Sequence, residues 1–370
     1  MPYDKPFRSL DEQIALLKEK GLIIVNEDFA KSALSSISYY DLINRYQQYF
    51  MISKKFRLGV TIESLYSFYL FDKDVQFVIM KYSALVENIF KTKLSYVIAK
   101  HLGVSIIDYL SPHYFMAKRE KSKLTFSAVR KNIECYLTST HVSNPTLHYM
   151  SNHNHIPPWI LFKNISFSNS INIYKLLRSD LKKYVTDSLL PGNQKYSEKV
   201  EFLEKSLEMV RTFRNYAAHN LNFTSLHIKG RARPSPILIK KELGGNLVKR
   251  VNKKIPAEER KSLSGVYGVI LVLLILLGTD HFRSRLITDL LLTINGGDEE
   301  NNQYLFKMYI SITGIPIDFK RRLTNYYQTI LVPGQYDKTC YFSRKNKKSC
   351  QYSSTHVIKS PVFITPLLTM

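Results

Sequence analysis

Arg214, Asn215 and His219 crowd into one short stretch, Arg214-Asn215-Tyr216-Ala217-Ala218-His219-Asn220. A guanidinium is a permanent cation whose fork of N–H donors fits phosphate oxygens, and imidazole is the side chain that titrates near neutral pH. An amide beside them can hold the imidazole or a phosphate. Such a set suits work on a phosphodiester. RNA carries its own nucleophile, the 2′-hydroxyl, so a protein need only align it, move protons and offset the charge that develops. The plainer alternative is that Arg and His stand near a helix end because cations offset the helix dipole there.

The element that must position these residues is a helix predicted from Ser197 to Asn220. Leu203, Leu207, Val210 and Ala217 recur at helical spacing and define a buried stripe. At about 100° per residue, Arg214 falls in the middle of that stripe, so its charge must meet a carboxylate, a phosphate or a solvent-filled seam. Asn215 and His219 are one turn apart on a neighbouring face.

The stretch FRNYAAHN resembles the RN-x-x-AHN signature of abortive-infection (Abi) proteins of the AbiD/AbiF type, which are themselves similar to HEPN ribonucleases. Three further blocks carry the same resemblance: residues 37–50 (ISYYDLINRYQQYF), 65–94 (LYSFYLFDKDVQFVIMKYSALVENIFKTKL) and 157–177 (PPWILFKNISFSNSINIYKLL). Together they cover most of residues 5–225 in the family's order. Two departures stand out. Ser168-Asn169 occupies the place of a frequent Gly-Thr, and Val75-Gln76 follows Phe71-Asp72 where the family often has Arg.

The resemblance implies a HEPN-like helical bundle up to about residue 225; with the helical patterns read in the rest of the chain the fold is expected to be all-α, with an additional N-terminal helical part, a basic hairpin or loop insertion and a C-terminal helical extension. The corresponding segments are 1–60, a core at 61–225, a basic arm at 226–255, C-terminal helices at 256–332 and a basic tail at 333–370. It further implies that Arg214, Asn215 and His219 are catalytic. His219 would be general base or acid, Arg214 would hold the scissile phosphate, and Asn215 would hold His219 or the phosphate. One Arg–His pair supplies one acid–base group, so the resemblance implies a homodimer with two such elements facing across a cleft. The implied products are a 2′,3′-cyclic phosphate and a 5′-hydroxyl, formed without metal or other cofactor. The implied partner is RNA, as target and as a small structured non-coding RNA acting as antitoxin or guide. A different reading is a non-catalytic RNA-binding protein that forms a stable ribonucleoprotein. A third, a structural or membrane-surface protein, would require detergent-dependent solubility and no bound nucleic acid.

Charge favours the polyanion readings. The chain of 370 residues carries a formal net charge of +23. Such a surplus repels itself in a compact state unless a polyanion lies near. Apolar residues make up 45% of the chain, enough for a large core and too many for a disordered chain. The abundant Tyr and Phe offer stacking faces for unpaired bases, although most should be core. Cys135, Cys340 and Cys350 are too few for a disulfide framework. The start, MPYDKPFRSLDEQ, is polar and shows no signal peptide, so the chain reads as cytoplasmic. The most apolar run, Val266 to Leu277, is shorter than the roughly 18–20 residues of a membrane span, and a fully buried helix is expected there.

Helical patterns dominate elsewhere. Ser9 to Glu12 reads as a capping box, Asn26 as a cap, Tyr39 to Phe50 as a helix, and Thr61 as the start of a long helical pattern reaching Leu102. That pattern fits one helix or two joined near Phe71-Asp72. Its polar set from Glu87 to Lys93 reads as one face of a packed helix, which under the resemblance lines the cleft of His219. From Ile228 to Ile255 the cations Lys229, Arg231, Arg233, Lys240, Lys241, Lys249, Arg250, Lys253 and Lys254 face the single acid Glu242. This is either a solvated loop or an arm gripping a phosphate backbone, and like charges at that density favour the arm. The β-branched run at Pro236 to Ile239 fits a hairpin. A helix from Ile317 to Ile330 mixes Lys320, Arg321 and Arg322 with Tyr326 and Tyr327, a face suited to RNA. His141, His148, His153 and His155 with Cys135 fit no zinc pattern, and no metal site is expected.

Overall fold

Helix starts follow the side chains that can cap them. In the computed structural model, which describes residues 5–331 apart from 121, 139–141, 245–246 and 296–298, Ser9 opens α1 (Leu10–Glu19) with the expected box. Its hydroxyl accepts from the Glu12 N–H at 3.2 Å, and the Glu12 carboxylate accepts from the Ser9 N–H at 2.7 Å. Asn26 caps α2 (Glu27–Ser36) through its side-chain oxygen alone, which accepts from the Phe29 N–H at 2.9 Å. The predicted helix from Tyr39 to Phe50 is broken into a π-helical turn (Tyr40–Asn44), in which the Arg45 N–H donates to the Tyr40 carbonyl at 2.9 Å, and α3 (Gln47–Phe50). Strand β1 (Met51–Ile52) then pairs antiparallel with β2 (Lys55–Phe56), the one sheet among the described residues.

Thr61 caps α4 (Ile62–Leu102), an unbroken helix of 41 residues that Gly103 ends at φ +91°. At about 1.5 Å per residue it runs roughly 60 Å, so it can serve as the axis of the molecule. Phe68, Phe71, Val75, Ile79, Tyr82, Val86, Phe90 and Leu94 form its buried stripe. The chain continues through α5 (Ile106–Tyr109), α6 (Phe126–Thr138), α7 (Thr146–Asn152), α8 (Pro158–Asn164), α9 (Phe167–Leu176), α10 (Ser179–Leu189) and α11 (Tyr196–Ala218). Helices α8, α10 and α11 pack directly on α4.

Beyond α11 come α12 (Pro236–Leu243), α13 (Ala257–Ser262), α14 (Val266–Leu276), α15 (Asp280–Asn295), α16 (Glu299–Thr313) and α17 (Phe319–Leu331). The fold is all-α, as expected. Every residue of α14 is buried, and the helix packs against α4, α11 and α12. No helix among the described residues is long and apolar enough to cross a membrane. The expected hairpin at Pro236 to Ile239 is a helix. Pro236 presets φ at its first turn, and Leu238, Ile239 and Leu243 bury on one face, so packing against α14 outweighs β-branched propensity. What remains of a hairpin in the basic stretch is a tight turn at Asn252-Lys253, closed by two 2.9 Å bonds between Val251 and Lys254. The described residues share one compact unit and one hydrophobic core, running from Ile14 to Tyr326. The basic tail at 333–370, with Cys340 and Cys350, lies outside the described residues, as does His141.

Candidate functional site

Helix α11 is anchored by Phe202, Leu203, Leu207, Met209, Val210 and Phe213, all buried, and Phe213 meets Phe223 edge to face at 5.3 Å. Arg214 follows this stripe but does not sit in its middle. Its side chain is 38% exposed, at the edge of the packed face, because Phe213 takes the inward direction. Of the partners open to it, Arg214 meets a carboxylate, Glu87, whose Oε2 lies 3.5 Å from Arg214 Nη2. Arg214 Nη1 also donates to Asn215 Oδ1 at 3.2 Å. So Asn215 holds the arginine, and its contact with His219 is the helical backbone bond at 3.0 Å.

His219 is the C-cap of α11 and is exposed. Among the described residues its ring has no hydrogen-bond partner. An imidazole and a partly open guanidinium are thus carried by the last turn and a half of one rigid helix, both accessible to solvent.

Helix α4 provides the opposite wall. Glu87 Oε1 accepts from Lys91 at 2.7 Å, and Lys91 also donates to the Ile165 carbonyl at 2.7 Å, just past α8. Neighbouring Asn88 accepts from Lys163 at 3.1 Å. The polar set read from Glu87 to Lys93 therefore faces Arg214 on one side and α8 on the other. Farther back along α4, the Lys73 ammonium donates to Asn220 Oδ1. Lys73 and Glu87 are separated by about 21 Å of helix, and this span of α4 runs beside the end of α11.

A second polar group adjoins Asn220. Arg45, only 2% exposed, donates to Asp41 Oδ1, to the Asn220 carbonyl and, at 3.1 Å, to Asn220 Oδ1. Asn220 returns its amide N–H to Asp41 Oδ2 at 3.0 Å. Burial lowers the Lys73 pKa, and the charge of Arg45 lowers it further. Behind Lys73 lies Asp72, fully buried, accepting from Tyr46 and Gln76 at 2.8 Å each. Gln76 stands where the resembling family often has Arg, so Asp72 is met there by a neutral amide and not by a cation. Burial raises the Asp72 carboxyl above its ordinary range despite these bonds. None of Asp41, Arg45 and Lys73 had a role in the sequence reading. The only signal was their place in the two early blocks that carry the resemblance.

The basic residues separate into free and engaged. Lys229, Arg231, Lys241, Arg250, Lys253 and Lys254 are exposed. Arg233 donates to the Arg260 carbonyl at 2.5 Å, and Lys240 to the Val248 carbonyl at 2.9 Å. Lys249 is exposed but paired with Asp318 at 2.9 Å. The face expected on α17 is mostly interior. Arg322 is 4% exposed and bridges Glu259 and Asp318, Tyr326 is buried, and Lys320 donates to Asn295 at 2.7 Å. Only Arg321 stands out, and it too pairs with Asp318. The reason is helical period: residues 318 and 322 share the side of α17 turned to Glu259. Burial alone would raise the Asp318 carboxyl, but bonds from Lys249 and Arg321 and the charge of Arg322 hold it well below the usual carboxylate range.

Comparison with known families decides what this arrangement belongs to. The family described as Abi-like protein matches residues 32–224, more than half of the chain. The chain belongs to the Abi-like protein family. The match takes in the π-helical turn, α4, all of α11 and Asn220, and it stops before the basic stretch and α12 to α17. Membership points this Abi-like chain toward abortive infection. No curated protein and no solved structure matches it. Among the described residues there is no group of three or more His, Cys, Asp and Glu side chains arranged to hold a metal.

Proposed function

We propose that this Abi-like protein is an abortive-infection toxin of the HEPN type, a metal-independent endoribonuclease that cleaves RNA through the 2′-hydroxyl. The observation that carries this reading is the pairing on one helix end of an exposed, unpartnered His219 with a partly exposed Arg214. A structural histidine is usually tied to a partner, and this one is free to meet a substrate.

His219 takes the proton from the 2′-hydroxyl as the 2′-oxygen forms its bond to phosphorus. The bond from phosphorus to the 5′-oxygen breaks, and the leaving oxygen needs a proton. A second copy supplies it from its own protonated imidazole, which makes the working unit a homodimer with two such helix ends facing each other. Arg214 lies against the phosphate and offsets the charge gathered in the transition state. The 3.5 Å contact with Glu87 is long for an ion pair, so it orients the guanidinium without saturating its donors. Asn215 fixes the arginine's approach from the other side. The products are a 2′,3′-cyclic phosphate and a 5′-hydroxyl.

Exposed Lys229, Arg231, Lys241, Arg250, Lys253 and Lys254 form the arm that holds the RNA backbone, and the +23 charge suits a standing complex with a small non-coding RNA. That same charge supports a second reading, a ribonucleoprotein that acts by binding alone. Expression of the wild type, His219→Ala and Arg214→Ala, with sequencing of co-purified RNA, separates the two. Growth arrest lost in both variants while the RNA still co-purifies is the outcome expected of the nuclease. Arrest and binding that survive both substitutions would leave only the binding reading.

A further inference from the structure

Helix α11 closes on a residue whose side chain does more than the backbone there requires. The Leu221 N–H donates to the Tyr216 carbonyl at 2.9 Å and the Asn220 N–H to the Ala217 carbonyl at 3.4 Å, with Asn220 at φ +52°. This is the paired-bond helix ending in which glycine is the usual occupant, because it enters the left-handed region without a Cβ clash. An asparagine at that point is explained by its amide. Its oxygen accepts from Arg45 and Lys73, its nitrogen donates to Asp41, and its carbonyl accepts again from Arg45. Three stretches distant in sequence, the π-helical turn, α4 and the end of α11, are thereby fastened to one residue.

The next residue back is His219. Its ring has no bond of its own among the described residues, so its place is set by its backbone alone. That backbone is held on one side by α11 and on the other by Asn220. Arg45 adds stiffness to the joint. Its buried guanidinium is tied to Asp41 and twice to Asn220, and breaking those bonds would leave a buried charge unpaired.

We propose that Asn220 is a positioning residue for His219, locked by Asp41, Arg45 and Lys73 so that the backbone carrying the imidazole is held in one place beside the substrate. This rests on the nuclease reading of His219. Lys73 also brings a cation to the same joint.

The test compares wild type, His219→Ala, Asn220→Gly, Asn220→Asp and the double variant Asp41→Asn with Asn220→Asp. Each is scored by single-turnover cleavage of a labelled RNA, by its affinity for that RNA, and by thermal melting. Asn220→Gly keeps the left-handed backbone and removes the amide. Asn220→Asp sets two carboxylates against each other, and the double variant restores an amide-to-carboxylate bond with donor and acceptor exchanged. The expected result is a cleavage rate lowered about 10- to 100-fold in Asn220→Gly with RNA affinity unchanged, together with recovery in the double variant of most of the rate lost in Asn220→Asp. Wild-type rates in Asn220→Gly and Asn220→Asp, with His219→Ala inactive, would overturn the proposal and leave the nuclease reading standing. Should Asn220→Gly fail to fold, a folded double variant no faster than Asn220→Asp overturns it equally. Equal cleavage by wild type and His219→Ala would instead overturn the nuclease reading, and this proposal with it.

Discussion

Single side chains in this protein are held with very different firmness. His219 stands exposed at a helix end, Arg214 is half restrained by Glu87 and Asn215, and Asp72 a few turns away is sealed from water. Asp72 gives a sharp residue-scale expectation. One of its oxygens lacks a hydrogen bond of ordinary geometry, and the buried Tyr309 hydroxyl stands beside the carboxyl. Burial raises the carboxyl, so the folded chain binds this proton more tightly than the unfolded chain does. The sign follows: Asp72 costs stability once pH rises above the unfolded carboxylate range near ~3.9, increasingly up to its raised folded value and fully beyond it. Asn keeps both acceptor bonds and adds a donor. Asp72→Asn is therefore expected to melt higher than wild type at pH 8, with the gap closing toward pH 4. A gap that widens on acidification would contradict it.

At the scale of elements, the helices that are strongly periodic were legible in the sequence. The caps at Ser9, Asn26 and Thr61, the stop at Gly103 and the burial of α14 all follow from local pattern, whereas the sequence left open whether α4 is one helix or two. Three things were not. The π-helical turn ends on Arg45, whose side chain reaches Asn220, a contact across 175 residues that local pattern does not reveal. Residues 236–243 became helix because α14 offers an apolar wall that local propensity does not reveal. Arg322 reads as a surface cation until Glu259 and Asp318 are brought to it by the fold. In the candidate site, Arg214, Asn215 and His219 were visible as a motif, whereas Asp41, Arg45 and Lys73 are joined to it only by tertiary contact. Helix α14 yields the element-scale prediction. A Cβ on Gly268 would lie 2.1 Å from the Leu263 carbonyl oxygen and 2.9 Å from the Met209 methyl on α11. Backbone cannot yield as a side-chain tip does. Gly268→Ala should cost about 1–3 kcal/mol in urea unfolding, and an unchanged unfolding midpoint would show that α14 does not press on the Leu263 carbonyl as described.

At the scale of the whole molecule, an apolar core is wrapped in a large positive surplus. Among the described residues Lys229, Arg231, Lys241, Arg250, Lys253 and Lys254 make no ion pair, whereas Lys249, Arg321 and Arg322 are paired with Asp318 and Arg322 with Glu259 as well. This division predicts which charges RNA feels. Replacing Arg250, Lys253 and Lys254 together by Gln should flatten the dependence of log affinity on log salt by about 2–3. Replacing Arg321 alone should leave that slope nearly unchanged. Equal slopes in all three proteins would remove the basic stretch from the RNA-binding surface.

The central claim is that His219 moves a proton during RNA cleavage. Its most direct measurement is single-turnover cleavage of an end-labelled RNA in EDTA by purified wild type and His219→Ala, with the ends of the products identified. The account predicts 2′,3′-cyclic phosphate and 5′-hydroxyl ends, and a rate about 10²–10⁴-fold lower in the variant. Products bearing 5′-phosphates, or a variant as fast as wild type, would contradict it.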